Sequence, residues 1–374
     1  MRPPVCLMTD EYPPTTGGVG QSVARIARAL AGEYTVTVVV VEREVRARPF
    51  EAADDGGVEV IRCYPTEDLP DQRSARDTER YQRLARLARR RGFAAYHSFF
   101  PMATGMEAGL LAGTRRRPLI ASFRGNDFHH SLFSRHLLTV RWVLERADVV
   151  TFVNREMAEL AGVLDSRVQS RGRVIFNGVA IPEAHARTGV FATPPVIGTT
   201  GAFRAKKGIR TLVEGCTALA AGIDFRLLLA GDLAPPERDH WRACLASSGL
   251  LDRTEITGFL PHSEVAGCLR RMDVFAYPSL YDGCPNSVLE AAAAGLPILC
   301  SRIPALEDLL EDGVSCRMHE PEDPNDFAGQ ARALLADPAA ARRLGAAARL
   351  ECERRFTLEQ EAATWRRIYR DLLH

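Results

Sequence analysis

A rhythm that runs twice constrains this 374-residue chain more than any other feature. Short β-branched or apolar runs alternate with helical stretches from the N-terminus, stop over Ile181–Pro195, and then begin again. The first pass gives strands at Val5–Met8, Thr35–Val41, Val58–Arg62, Tyr96–Phe99, Leu119–Phe123, Val149–Val153 and Val174–Phe176, with helices such as Ser22–Ala31 and Ser134–Arg146 between them. The second gives Val196–Thr200, Phe225–Ala230, Glu255–Thr257, Val274–Tyr277 and Ile298–Cys300, each followed by a Gly- or Pro-marked turn and a helix. Such βαβα alternation predicts a parallel sheet covered on both faces, a doubly wound α/β fold, twice over. The segment between the passes has no apolar periodicity and reads as an interdomain linker. Length agrees, because one hydrophobic core does not organise a chain of this size. Two Rossmann-like domains are expected, at residues 1–184 and 185–357, and a last helix at Leu358–Leu373 follows a break at Phe356–Thr357.

Doubly wound sheets take ligands in the crevice beyond the C-terminal ends of their strands, so the strand-to-helix loops carry the functional signal. The richest is Tyr277–Pro297. A strand ends at Tyr277, the loop holds Asp282 and Gly283, Pro285 suits a first helical turn, and Gly295 with Pro297 stops the helix. Backbone N–H groups of Gly283, Cys284, Asn286 and Ser287 would leave that helix start and, with the positive end of the dipole, form an anion site for a diphosphate. Glu290, in the early turns, can accept from both hydroxyls of a vicinal diol such as a ribose. An ordinary strand-turn-helix with a surface acid is the alternative. The loop Gly198–Gly208 opens the second domain: small residues such as Gly201 let backbone approach a ligand, and Arg204, Lys206 and Lys207 gather positive charge where a leaving diphosphate needs it. Pro13–Gly20, with Gly18 and Gly20, joins the first strand to the first helix but lacks the full spacing of a dinucleotide fingerprint.

Composition narrows the partners. Lys plus Arg (48) and Asp plus Glu (47) cancel to +1, so no nucleic acid is expected. No apolar run is long enough for a membrane span or a secretory signal, which predicts a cytoplasmic protein with at most peripheral membrane contact. The basic run Arg83–Arg91 could lie on an anionic membrane, although a solvated helix face fits a charge-balanced chain better. Nine cysteines without a CxxC pair fit neither disulfides nor a zinc ribbon, and the nine histidines show no ligand spacing, so no metal is expected. His97, at a strand end, is either a residue near the acceptor or a buried, hydrogen-bonded histidine.

Taken together, these loops resemble family 4 of the retaining glycosyltransferases, with the GT-B fold, over nearly the full length. The likeness rests on Gly17–Gly20, Asn177–Val179, Lys207–Gly208, Gly258–Leu260 and the block Pro278–Pro297, whose Asp282 and Glu290 match the family's paired acids. The resemblance implies that two domains face each other across a deep cleft and that the C-terminal helix, with Trp365, crosses back to complete the first. It implies that Glu290 binds the donor ribose, that Asp282 contacts the donor sugar and that Lys207 faces the diphosphate. Gly258, Phe259 and Leu260 would lie beside the nucleobase, and Gly18 and Gly20 against phosphate or acceptor. Three positions depart from the family pattern. Asp282 is a methylene shorter than the usual Glu; Ala202 stands where the loop's Arg is usual, with Arg204 nearby to substitute; and Arg124 occupies the His position of the family's H-G-x-D element, where it could bind a charged acceptor or a donor phosphate.

The implied reaction moves a sugar from a UDP- or GDP-sugar to a small-molecule or glycan acceptor, with retention. Lys207, Arg204 and the helix start would stabilise the departing diphosphate in place of a metal. The nucleotide sugar is then a substrate, and no cofactor is needed. The acceptor is expected at Phe99–Met106 and Arg124–His130. Rival readings are a nucleotide-sugar 2-epimerase on the same scaffold, a nicotinamide-dependent oxidoreductase, and a non-catalytic sugar-nucleotide binding protein.

Overall fold

Thr35–Val41, the longest valine run in the chain, is buried at every residue after Thr35, because a strand apolar on both faces needs cover on both. The computed structural model describes residues 2–14, 18–66, 73–125, 127–183 and 190–373. It divides the chain into two compact units, Met1–Asn177 with Glu359–His374, and Gly178–Leu358.

Among the described residues the first unit builds an eight-stranded sheet. Its strands are β1 (Pro4–Thr9), β2 (Thr35–Val41), β3 (Phe50–Asp54), β4 (Glu59–Cys63), β5 (Ala95–Phe99), β6 (Leu119–Phe123), β7 (Val149–Phe152) and β8 (Gly172–Val174). They stand in the order β3-β4-β2-β1-β5-β6-β7-β8, and only the β3–β4 pair is antiparallel. One face is packed by the helix Gly18–Leu30 and the C-terminal helix Leu358–Leu373; Val23, Ala27, Trp365 and Tyr369 join Val5 and Leu7 in one core.

The second unit builds a six-stranded, all-parallel sheet from β9 (Val196–Phe203), β10 (Arg226–Leu233), β11 (Thr254–Ile256), β12 (Val274–Tyr277), β13 (Ile298–Ser301) and β14 (Arg317–His319), in the order β11-β10-β9-β12-β13-β14. Ile197, Leu212, Leu229, Val274 and Phe327 lie in its core. Strand order reverses between β9 and β12 here, and between β1 and β5 in the first unit. Those are the places where a doubly wound sheet holds ligand.

Several elements differ from the sequence reading. β3 was not foreseen: Phe50–Asp54 is a sheet edge with four of its five residues exposed, so it carries no apolar signal. β14 was missed because three residues are too few for a period. The strand read at Val174–Phe176 instead occupies Gly172–Val174, and the helix read from Ser134 starts at Leu137. Residues 181–183 and 190–195 form no helix or strand, but Phe191 is buried and the Ala192 and Val196 amides donate to Asp273, so this end of the linker is tied to the second unit. No helix among the described residues is long and apolar enough to cross a membrane.

Candidate active site

In the second unit the loops after β9, β11 and β12 all leave the C-terminal edge of the sheet, and β9 and β12 flank its switch point. Two of these loops are locked together by Gly208. Its φ of 70° is left-handed, and a Cβ there would stand 1.7 Å from the Pro278 carbonyl oxygen, so a side chain would force the loops apart. Across this contact the Leu280 amide and the Ser279 hydroxyl donate to the Lys206 carbonyl at 3.0 and 3.3 Å.

The register so fixed brings Lys207 onto Asp282. Lys207 Nζ donates to the Tyr277 hydroxyl at 2.7 Å and to the Asp282 carboxylate, to which the Tyr277 hydroxyl also donates. The other carboxylate oxygen of Asp282 accepts the Gly283 amide at 2.8 Å. Burial works to raise the Asp282 pKa, but the Lys207 ammonium, its hydrogen bond, the Tyr277 hydroxyl and the Gly283 amide together hold it below the usual carboxylate range. Burial first, and Asp282 second, keep the Tyr277 hydroxyl protonated far above its ordinary value. The phenol of Tyr277 is therefore neutral and Asp282 a carboxylate at neutral pH, and the Lys207 side chain is 30% exposed and able to meet an anion.

Two expectations change here. The Gly283 amide, expected to face a diphosphate, is occupied by Asp282. Asp282 itself, expected to contact a sugar, has both oxygens engaged by its own protein. Gly283 and Cys284 are buried, while Asn286 and Ser287 are half-buried in the first turn of the helix Asn286–Ala293. Arg204 is exposed beside Lys207, and Gly201 lies with φ 131° in β9 against Gly231 of β10, whose added Cβ would meet the Gly201 carbonyl oxygen at 1.8 Å.

Glu290 has a partner that the sequence reading missed. Its carboxylate meets His262 Nε2 at 3.0 Å, with Glu290 20% and His262 75% exposed at the side chain. His262 opens the helix that follows Gly258, Phe259 and Leu260, and Phe259 is 68% exposed, an unusual position for so large an apolar ring. Among the described residues no group of three or more His, Cys, Asp or Glu side chains is placed to hold a metal ion.

Comparison with known proteins divides the chain in the same way as its sheets. Residues 17–178 match the family model described as glycosyl transferase 4-like domain, and residues 194–337 the one described as glycosyl transferases group 1. The chain belongs to the group 1 glycosyltransferases. Among curated relatives, 2-deoxystreptamine glucosyltransferase of Streptomyces kanamyceticus is 30% identical over 211 residues, which are 53% of this chain and 54% of that protein. The chain thus spans about half the length of that relative. Among solved structures, sucrose-phosphate synthase from Thermosynechococcus elongatus superposes with a TM-score of 0.80 at 22% identity, over 99% of both chains. Anabaena HepE in complex with UDP and glucose superposes with 0.78 at 16% identity, over 98% of this chain and 100% of that one. These likenesses make the fold GT-B.

In the first unit of this glycosyltransferase, two residues read as catalytic are buried and hydrogen-bonded within the unit. His97 is fully buried, stacked on Phe99, with Nδ1 on the Tyr369 hydroxyl at 2.9 Å and Nε2 on the Ser122 hydroxyl at 2.6 Å. Burial, then the nearby Arg124 charge, push its pKa well below 6.5, so it stays neutral at neutral pH. Arg124 is also buried: its guanidinium donates to Ser22 at 2.7 Å, to Asn177, and to Glu361 of the C-terminal helix at 3.3 Å. The partners named here all belong to its own chain. Gly18 is exposed at the start of its helix, whereas the Gly20 amide is taken by the Glu11 carboxylate. Gly17 and Asn126 lie outside the described residues. The Phe99–Met106 segment holds a π-helical turn, Pro101–Gly105, entered through Phe100 at φ 53°.

Proposed function

We propose that this chain transfers a glycosyl group from a UDP- or GDP-sugar to an acceptor, with retention and without a divalent metal. The observation that carries the reading is the Lys207–Tyr277–Asp282 cluster at the switch point of the second sheet, where a half-exposed ammonium is held by a fixed counter-ion and a fixed phenol. A diphosphate leaving group gains charge as the bond to the sugar breaks, and a preorganised cation that needs no rearrangement stabilises that step more than the ground state. The HepE structure of the same fold, which holds UDP and glucose, supports this class of donor.

In this reading Lys207, with Arg204 beside it, meets the diphosphate. Asp282 orients Lys207. Glu290 accepts from the ribose diol, and Phe259 lies against the nucleobase. The bond from the anomeric carbon to the diphosphate breaks, the acceptor oxygen bonds to the same face, and the acceptor's proton passes to the departing phosphate oxygen. The naming of the Streptomyces relative for 2-deoxystreptamine favours a small-molecule acceptor over a glycan.

The two acids should then fail differently. Glu290→Gln is expected to weaken UDP or GDP binding by at least about tenfold, since it removes charge-assisted bonds of roughly 1.5–3 kcal/mol each. Asp282→Asn is expected to leave that affinity near wild type and to damage transfer instead, because the product nucleotide still meets Lys207. Calorimetric titration with each nucleoside diphosphate decides between them. Equal losses, or a loss confined to Asp282→Asn, would reverse the assignment.

A further inference from the structure

We propose that His262 is a positioning residue for the donor: it holds the Glu290 carboxylate in the orientation that accepts a ribose diol, and so sets the preference for a ribonucleotide over a nucleotide without that diol. This role rests on the assignment of Glu290 to the ribose. It belongs to a side chain 28 residues away in sequence, on a different helix.

The loop between β11 and the helix His262–Arg270 is short and fixed at its base. The Thr257 hydroxyl accepts the Gly231 amide of β10 at 3.0 Å and donates to the Gly258 carbonyl at 3.0 Å. Gly258 then turns the chain at φ 75°, a left-handed value that a side chain would strain. Pro261, with its φ held at −57°, leads His262 into the first helical turn from a defined direction. There the imidazole Nε2 meets Glu290 Oε1 at 3.0 Å. The pair bridges the loop that carries exposed Phe259 and the helix Asn286–Ala293.

The Glu290 carboxylate has no other hydrogen-bond or ionic partner among the described residues. Without His262 its side-chain torsions would be free, and a ligand would have to order them as it bound. A carboxylate has about four accepting positions, and the imidazole takes one of them, on Oε1. The two hydroxyls of a diol still find room, so His262 orients the acid without filling its seat. Folding gains little from the contact, because His262 is exposed and surface ion pairs add little to stability. Ligand recognition is where holding this carboxylate still has an effect.

Calorimetric titration of the full chain with UDP and GDP, each beside its 2′,3′-dideoxy form, tests the role. Wild type is expected to bind one ribonucleotide at least about tenfold more tightly than its dideoxy form. His262→Ala is expected to lower affinity for that ribonucleotide by about three- to tenfold, the effect of leaving one side chain to be ordered on binding, and to leave dideoxynucleotide affinity unchanged. His262→Gln keeps an N–H group near the Nε2 position and is expected to restore most of the loss. In a Glu290→Ala background, His262→Ala is expected to change nothing further. A wild type indifferent to the diol overturns the ribose assignment of Glu290 and this role with it. Discrimination that survives undiminished in His262→Ala overturns the role of His262 alone. So does an equal loss for both nucleotide forms, or tighter binding, which would make His262 a competitor for the carboxylate.

Discussion

Lys207→Ala is expected to slow glycosyl transfer by about 100- to 1000-fold, the usual effect of removing one preorganised charge or donor from a developing anion. The fold should survive, because Lys207 is partly exposed and Asp282 keeps the Tyr277 hydroxyl and the Gly283 amide as partners. Binding of the nucleotide sugar should suffer less than turnover, since the diphosphate carries its extra charge only as it leaves. Added magnesium is expected not to restore the rate. Steady-state kinetics with and without magnesium checks both points; an unchanged kcat removes Lys207 from the site, and rescue by magnesium assigns the diphosphate to a metal.

Glu361→Ala is expected to destabilise the first unit by about 3–5 kcal/mol, the range for breaking a buried ion pair on one side. The side chains of Arg124 and Glu361 are 1% and 3% exposed, and Arg25 reaches the same carboxylate at 2.8 Å. Arg25 is 26% exposed and can turn to water, whereas Arg124 cannot. The melting temperature of this unit should fall by about 10 °C. Arg124→Met combined with Glu361→Leu should recover much of the loss, because it removes both charges and leaves apolar volume in their place. Thermal unfolding of the single and double variants measures this. A Glu361→Ala protein that melts with wild type would mean that the C-terminal helix is held by Trp365 and Tyr369 packing alone.

What the sequence made legible was what is local. Parallel strands buried on both faces are continuous apolar runs, so β1, β2, β6, β9 and β12 stand out, and the Gly and Pro marks place the three loops of the second unit on the sheet edge that binds ligand. What stayed hidden was pairing at a distance. Lys207 and Asp282 are 75 residues apart, Glu290 and His262 28, and Arg124 and Glu361 237, and no period or spacing connects them. His97 lies in the middle of β5 rather than at its end, and alternation along a strand does not say which helix covers a face; the C-terminal helix covers this one. The same helix explains Arg124, since a buried guanidinium needs a carboxylate and the sequence gives no sign that Glu361 is at hand. β3 escaped because an edge strand open to water has no reason to be apolar.

If Lys207 meets a departing diphosphate, a nucleotide sugar is cleaved here at the bond to that diphosphate. Incubating the protein with a panel of UDP- and GDP-sugars, with water or a polyol as acceptor, and measuring free nucleoside diphosphate tests it most directly. Release is expected from one donor or a narrow set of them, and is expected to be abolished in Lys207→Ala. Release from none of them, or conversion of a nucleotide sugar into an isomer still joined to its diphosphate, would contradict it.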